Sequence, residues 1–334
     1  MAKIIPIYFT FDNNYVEPAA VAFYSLLQKA KSGIFYEMYV LHSDITNEKQ
    51  ELLQNIVKKF KNANLSFIDT HGFLQEEWKN GNFAGFNNTT IFTTDTIIKC
   101  FGAKFFPQYD KIIYSDVDVI FADNISEIYD INIEDKYMAA VKNINLKYKK
   151  SELAHLKPEH FKMLEDTYFA GGIWVLNLKK IREDNLEKRF IEIIQDNTIV
   201  KHWPDQDIMN IACENKVAYI PLNYISYPDL LDLLSDKNFV SHYTKEELFD
   251  SIFNPKIIHF AAFKPWNNDT QFANLWWAYF YYLGLKKTSI FKDVKTIELN
   301  KRKKYKKLFN ILTVITVILV VSNIITLLLL IFLH

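Results

Sequence analysis

Along residues 1 to 285, short apolar runs rich in Ile, Val, Tyr and Phe alternate with segments whose apolar positions recur every three or four residues. That is the pattern of strands alternating with amphipathic helices. Ile4 to Thr10 reads as a strand that ends in the turn formers Asp12, Asn13 and Asn14. A helix is expected from about Pro18 to Lys31, a strand over Phe35 to Leu41, a helix over Asn47 to Phe60 opened by an Asn47/Gln50 capping box, and a strand over Leu65 to Asp69. Strand, helix, strand, helix, strand implies a parallel sheet, and ligands of such sheets collect at the carboxyl ends of the strands. Downstream, the pattern predicts a helix from about Thr93 to Phe105, a strand over Tyr137 to Val141, helices over Leu178 to Asp196 and Asp205 to Glu214, and a strand over Val217 to Pro221. Phe169 to Asn177 is a further strand, entered through Gly171 and Gly172. Adjacent glycines there permit positive φ or close approach of a ligand to the backbone, or mark an ordinary bulge. Gly72 to Asn88 reads as loop, and Lys142 to Asp166 carries no clear pattern.

The run Lys111 to Phe121 reads as a buried strand interrupted by Asp116 and Asp118. In an extended chain residues i and i+2 project to one side, so the two carboxylates would point together and repel. A divalent cation, itself able to bind phosphate oxygens, relieves that repulsion. An isolated Asp-x-Asp is also what a strand end followed by a polar turn looks like. Two further segments bear on the choice. Ile257 to Phe260 is a short apolar stretch that delivers His259, followed by Lys264 held before Pro265 and Trp266. Two Asp and one His suit Mn²⁺, with Mg²⁺ the other hard cation such a site accepts, and the lysine is a point charge for a phosphate. Asp205-Gln206-Asp207 opens a helix after Trp203-Pro204. The helix start favours anionic or hydroxyl-rich partners, and the same residues serve equally as an acidic cap.

Composition divides the chain. Of 334 residues 49% are hydrophobic and the net charge is zero, but residues 286 to 307 hold ten Lys/Arg against Asp293 and Glu298, which leaves residues 1 to 285 with 29 basic and 37 acidic residues. A domain with a net charge of −8 is ill suited to nucleic acid, whose binding depends on Lys and Arg. Ile311 to Leu333 has no charge in 23 residues, enough for a helix of roughly 34 Å at about 1.5 Å per residue. The basic cluster Lys301 to Lys307 precedes it, so a single-pass anchor is expected with residues 1 to 285 as a cytoplasmic catalytic domain and 286 to 310 as a juxtamembrane linker. Cys100 and Cys213 form no Cys-x-x-Cys pair and read as buried reduced thiols.

The order Asp12-Asn13-Asn14-Tyr15, Tyr114-Ser115-Asp116-Val117-Asp118, Gly171-Gly172 followed by Leu176-Asn177, Asp205-Gln206-Asp207 and His259-Phe260 with Lys264-Pro265-Trp266 resembles the family 8 glycosyltransferases over about residues 4 to 268. The resemblance implies a GT-A fold, a Rossmann-like α/β domain with a mainly parallel sheet, that binds a UDP-sugar through Mn²⁺ and transfers a hexose with retention. A glycolipid such as lipopolysaccharide is then the implied acceptor. Carried over by position, Asp12 and Asn14 contact uracil and ribose with Tyr15 close by. Asp116, Asp118 and His259 hold the metal, Lys264 the diphosphate, and Asp205 and Gln206 the donor sugar.

The chain departs from that pattern in three places. Ala170 replaces a donor-contacting Asn, Ile97 stands where an Arg or Lys usually reaches the donor with Lys99 on another helix face, and His259 to Lys264 is one residue short with no glycine between. Two other readings compete. A haloacid-dehalogenase phosphatase also carries a strand running into Asp-x-Asp, but no later Gly-Asp-x-x-x-Asp follows here. A non-catalytic nucleotide-sugar sensor at the membrane would explain the altered donor positions.

Overall fold

The structure, a computed structural model, describes residues 2–80, 94–144, 167–199, 201, 203–235, 241–261 and 263–291. The strands are β1 (Lys3–Thr10), β2 (Ile34–His42), β3 (Ala63–Asp69), β4 (Lys111–Ser115), β5 (Val119–Phe121), β6 (Met138–Lys142), β7 (Phe169–Asn177), β8 (Val217–Tyr219) and β9 (Ile257–His259). Seven of them form one sheet in the order β3-β2-β1-β4-β7-β6-β8, and β5 pairs with β9 apart from it. β1 runs parallel to β2 and β4, and β2 to β3; β7 is antiparallel to both β4 and β6, and β8 is parallel to β6. The parallel half expected from the strand–helix alternation is therefore present, with β7 inserted against its direction.

The central strands are apolar throughout because both faces are covered. Ile5, Ile7 and Phe9 of β1 and Ile113 of β4 join a core with Val16, Ala19, Ala20 and Phe23 of α1 (Val16–Gln28). Tyr8, Ile112, Tyr114 and Trp174 face the opposite core with Phe190 and Ile194 of the helix Leu186–Gln195. A third cluster packs Ile120 and Ile258 of the small sheet against Trp266, Trp276 and Phe280. α1 also holds the small sheet in place, since the backbone N–H of Phe121 donates to Ser25 Oγ at 3.1 Å.

Several expected elements are broken, each for a visible reason. Lys111 to Phe121 is not one strand: β4 ends at Ser115 and β5 begins at Val119 in a different sheet, so the two aspartates stand at the crossing between sheets. The helix expected from Thr93 to Phe105 is described from Thr94, runs to Ile98, tightens into a 3₁₀ turn over Lys99–Phe101 and resumes over Gly102–Phe105. The buried Tyr8 hydroxyl donates to the Lys99 carbonyl at 2.5 Å, and a Cβ on Gly102 would lie 3.0 Å from the same hydroxyl, so a side chain enters where the ladder would continue. Leu178 to Asp196 divides into Leu178–Glu183 and Leu186–Gln195 at Asn185, which adopts the left-handed conformation with φ 52°. α2 (Asn47–Val57) starts one residue after Thr46 and has no Asn47/Gln50 box; the Gln50 amide instead donates to the Ile45 carbonyl at 2.9 Å. Part of the expected loop, Gln75–Asn80, is helical.

The span expected over Ile311 to Leu333 lies outside the described residues, as does most of 142 to 166. Among the described residues no helix is long and apolar enough to cross a membrane.

Asn177, which closes β7, is a structural hub. Its Oδ1 accepts from the Lys180 backbone at 3.0 Å as the N-cap of the next helix, while Nδ2 donates to the carbonyls of Ile133 at 2.7 Å and Lys136 at 3.1 Å. Losing a cap and two side-chain hydrogen bonds costs on the order of 2–3 kcal/mol. Asn177→Ala is expected to lower the urea midpoint correspondingly without moving the catalytic side chains; an unchanged midpoint would show that solvent replaces all three bonds.

Candidate active site

The site assembles where β4 leaves the main sheet. Asp116 N–H donates to the Gly172 carbonyl of β7 at 3.0 Å, which fixes the first carboxylate at the sheet edge. The chain then enters β5, whose antiparallel register sets Val119 opposite His259. Phe260 N–H donates to the Asp118 carbonyl at 2.9 Å and His259 N–H to the Ser226 carbonyl at 2.9 Å, so the second carboxylate and the imidazole are placed by backbone pairing. His259 Nε2 lies 3.4 Å from Asp116 Oδ2 and 3.3 Å from Asp118 Oδ1. One ligand atom from each of the three residues falls within 4.8 Å of the others, a spacing that fits a single cation. Two carboxylates and an imidazole are a donor set for Mn²⁺.

Cations of the protein itself also face these carboxylates. Lys264 forms an ion pair with Asp118, and Lys99 Nζ lies 3.1 Å from Asp116 Oδ1. Burial would raise the Asp118 carboxyl, but Lys264 and His259 outweigh it and hold it far below the usual range; Lys99 and His259 do the same, to a lesser degree, for Asp116. Burial alone would lower the His259 imidazole, yet the two aspartates push it up to about 9. The Tyr114 hydroxyl also donates to Asp116.

Lys99 corrects the expectation built on Ile97. Ile97 is fully buried in the core, and Lys99 reaches the site that Ile97 does not. Its side chain is only 6% exposed, and its ammonium pairs with Asp205 Oδ2 at 2.5 Å as well as with Asp116 and lies over the rings of Tyr114 at 5.0 Å and Trp174 at 5.3 Å. Burial works against the charged form, but Asp116 and Asp205 together raise the Lys99 pKa well above its ordinary value. Ile97 and Lys99, two residues apart, do project from different faces, and it is the face of Lys99 that meets the site. A lysine within a predominantly apolar run was the available signal.

Asp205 and Gln206 begin the helix Pro204–Ala212, which lies against the glycines of β7. The pairing of β7 with β6 shifts register between Ala140 and Lys142, the irregularity that the glycine pair could mark, and neither glycine has a positive φ. A Cβ on Gly171 would meet Asp205 Oδ2 at 2.7 Å, and one on Gly172 would meet His259 Nδ1 at 2.5 Å. The buried Asn210, one helical turn after Gln206, was not expected from the sequence. It clamps Phe169 by accepting from its N–H at 2.9 Å and donating to its carbonyl at 3.0 Å. The spacing Asp-Gln-Asp-x-x-Asn was its only sequence signal.

Asp12, Asn14 and Tyr15 stand at the carboxyl end of β1. Asp12 caps a 3₁₀ turn, accepting from Asn14 N–H at 2.9 Å, and the turn is joined to the loop after β2 by Asn13 N–H donating to Asp44 at 2.8 Å. Tyr15 packs edge-on against Trp266, with centroids 5.9 Å apart, and its hydroxyl pKa is raised by burial and then by Asp118 and Asp12. Tyr15 therefore lies within electrostatic range of Asp118 and Asp116. Cys100 and Cys213 are buried free thiols, and burial raises both.

A mainly parallel sheet with a carboxylate pair at a central strand's end and an antiparallel strand inserted beside it defines a GT-A-like α/β protein. Residues 6–270 match glycosyl transferase family 8. The chain belongs to that family and is a glycosyltransferase. Among relatives, lipopolysaccharide 1,2-glucosyltransferase of Escherichia coli is 24% identical over 268 residues, covering 79% of this chain and 73% of the relative. Lipopolysaccharide 1,3-galactosyltransferase of Salmonella typhimurium is 26% identical over 195 residues, covering 54% of this chain and 52% of the relative. Among solved structures, the bifunctional glycosyltransferase WbbM superposes with a TM-score of 0.70 at 23% identity over 84% of this chain and 50% of its own. Galactosyltransferase LgtC with donor and acceptor sugar analogs gives 0.67 at 19% identity over 85% of this chain and 97% of its own.

The raised His259 makes a pH-dependent prediction for the protein freed of metal by chelation. A histidine whose folded pKa is about 9 against an ordinary 6.5 contributes stability that is complete below 6.5 and lost as pH rises toward 9. Urea midpoints of the wild type and His259→Gln should therefore converge between pH 6.5 and 9.5. A constant difference across that range would place the His259 proton elsewhere.

Proposed function

We propose that this glycosyltransferase moves a hexose, galactose or glucose, from a UDP-sugar to a cell-surface glycan or glycolipid such as lipopolysaccharide, retaining configuration at the transferred carbon. The observation that carries the reading is the convergence of Asp116, Asp118 and His259 beside Lys264, at the edge of the sheet whose β1 end presents Asp12 and Asn14. The relatives' lipopolysaccharide acceptors support the choice of acceptor class.

In this reading Asp116, Asp118 and His259 hold Mn²⁺, or Mg²⁺, which when bound supplies positive charge toward the phosphate oxygens of the departing UDP. Asp12 and Asn14 meet uracil and ribose with Tyr15 alongside. Lys264 exchanges Asp118 for the diphosphate, a move of one flexible side chain that leaves its charge where negative charge develops. Asp205 and Gln206 face the donor sugar. Gln206 is a poor nucleophile, so the acceptor hydroxyl attacks the anomeric carbon on the face from which UDP leaves, with the Gln206 amide steadying an oxocarbenium-like centre.

Family membership and the separate position of β5 set aside the dehalogenase-type phosphatase, and the glycosyltransferase assignment sets aside the sensor. Residues 142 to 166 and 226 to 254, which match none of the donor motifs, are proposed to receive the acceptor. The layout proposed for the rest is a linker over 286 to 310 and a membrane anchor over 311 to 333, holding the catalytic domain at the cytoplasmic face.

Two tests follow from this chemistry and this layout. Asp116→Asn, Asp118→Asn and His259→Ala should each lose Mn²⁺-dependent UDP-hexose turnover, with excess Mn²⁺ partly rescuing His259→Ala. Its metal affinity should fall by at least about the 10- to 100-fold that even outer-sphere losses cause. Lys264→Ala should lower turnover with metal affinity nearly unchanged; wild-type turnover in Asp118→Asn, or activity indifferent to chelation, would sink the metal-dependent reading. Separately, the full chain should stay with membranes through high salt and alkaline carbonate, whereas release by either would indicate surface adsorption.

A further inference from the structure

Glycine at position 171 is not required by the backbone. The glycines with positive φ among the described residues are Gly33, Gly72 and Gly284, so Gly171 adopts a conformation open to any residue. What it does satisfy is space. A Cβ there would lie 2.7 Å from Asp205 Oδ2 and 3.0 Å from Gln206 Cγ, distances at which something has to shift.

The helix that carries Asp205 and Gln206 is not free to retreat. Asn210 grips both backbone groups of Phe169 and donates to the Gln206 carbonyl at 2.9 Å. Asp207, fully buried, accepts from the Tyr168 hydroxyl at 2.7 Å and from Trp203 N–H at 3.0 Å. These bonds fix the gap between the start of the helix and the bulge of β7, so a larger residue at 171 displaces the two side chains and not the backbone. Asp205 is also held on its far side by the buried Lys99 ammonium.

We propose that Gly171 determines donor-sugar specificity: by withholding a Cβ it lets Asp205 and Gln206 seat against β7, and so sets the depth of the compartment that receives the hexose. This deepens the proposed function and rests on its assignment of Asp205 and Gln206 to the donor sugar. The clamp formed by Asn210 makes the compartment rigid, and Asn210 is a positioning residue for Gln206.

The test compares full-length wild type, Gly171→Ala and Asn210→Ala on UDP-glucose, UDP-galactose, UDP-N-acetylglucosamine and UDP-xylose, with Mn²⁺-dependent binding of UDP alone as a readout that involves no sugar. Gly171→Ala should bind UDP within about 2-fold of wild type while kcat/KM for the preferred hexose falls about 10-fold or more, the scale of one methylene in a pocket. UDP-xylose, which lacks the C6 hydroxymethyl, should lose least, so the donor ratio shifts toward it. Asn210→Ala should retain UDP binding and narrow the difference between glucose and galactose donors, and this variant decides the matter if Gly171→Ala loses UDP binding through misfolding. Unchanged donor ratios in a variant that binds UDP overturn the inference while leaving the proposed reaction standing. A wild type that binds UDP but turns over no donor sinks both.

Discussion

The pairing of β5 with β9 is the interaction on which the site depends. Asp116 and Asp118 follow one another in the chain, but the imidazole that completes the cluster arrives from a strand far downstream, and only the register Val119 to His259 sets it between them. The backbone bond from Phe260 to the Asp118 carbonyl lies inside that pairing. Behind it, Ile120 and Ile258 are packed on Trp266, Trp276 and Phe280, while Ser25 of α1 holds Phe121 from the other side. A two-stranded ribbon alone is marginal in water, so this apolar backing is what allows so short a sheet to carry the polar cluster.

A second constraint is the close approach of β7. Both glycines of its bulge face site residues, Gly171 toward Asp205 and Gly172 toward His259, so the strand runs between the sugar-facing carboxylate and the metal-ligating imidazole of the proposed reaction. The Gly172 carbonyl accepts from Asp116 N–H, which means that the same two residues both separate and hold the parts. Bulges next to active sites aim side chains by bending one strand of a pair. Here the bend permits three chain segments, distant in sequence, to meet at side-chain range.

Much of this was legible in the pattern of apolar residues. β7 has the limits expected of it, and β1, β2 and β3 differ from expectation by one or two residues, because central strands buried on both faces read as apolar runs and the edge strand β3 as an alternating one. The residues of the cluster were legible too, as unlike polar groups at the ends of such runs. What failed was local geometry. The Asp116 and Asp118 pair does not lie within a strand, yet its carboxylates still converge on His259, so the expected convergence is present on a different backbone. The site-facing position was sought at Ile97 and is Lys99, because which face of this short helix meets the carboxylates is set by its packing on distant strands. Asn210 and the break at Asn185 likewise depend on contacts that no local window contains.

Charge balance explains how so many carboxylates can gather in one place. Two buried carboxylates, Asp118 and Asp205, and the half-buried Asp116 face the ammonium groups of Lys99 and Lys264 and the protonated His259. Removing that many anions from water without partners would cost several kcal/mol each. In the proposed reaction Asp116, Asp118 and His259 would hold a divalent cation, His259 as the neutral imidazole, and that cation would supply, together with Lys264, positive charge complementary to a diphosphate. Lys99, bound to Asp116 on one side and Asp205 on the other, is the only cation of the set that belongs to both the metal and the sugar halves of this arrangement, and it is the one buried deepest between aromatic rings.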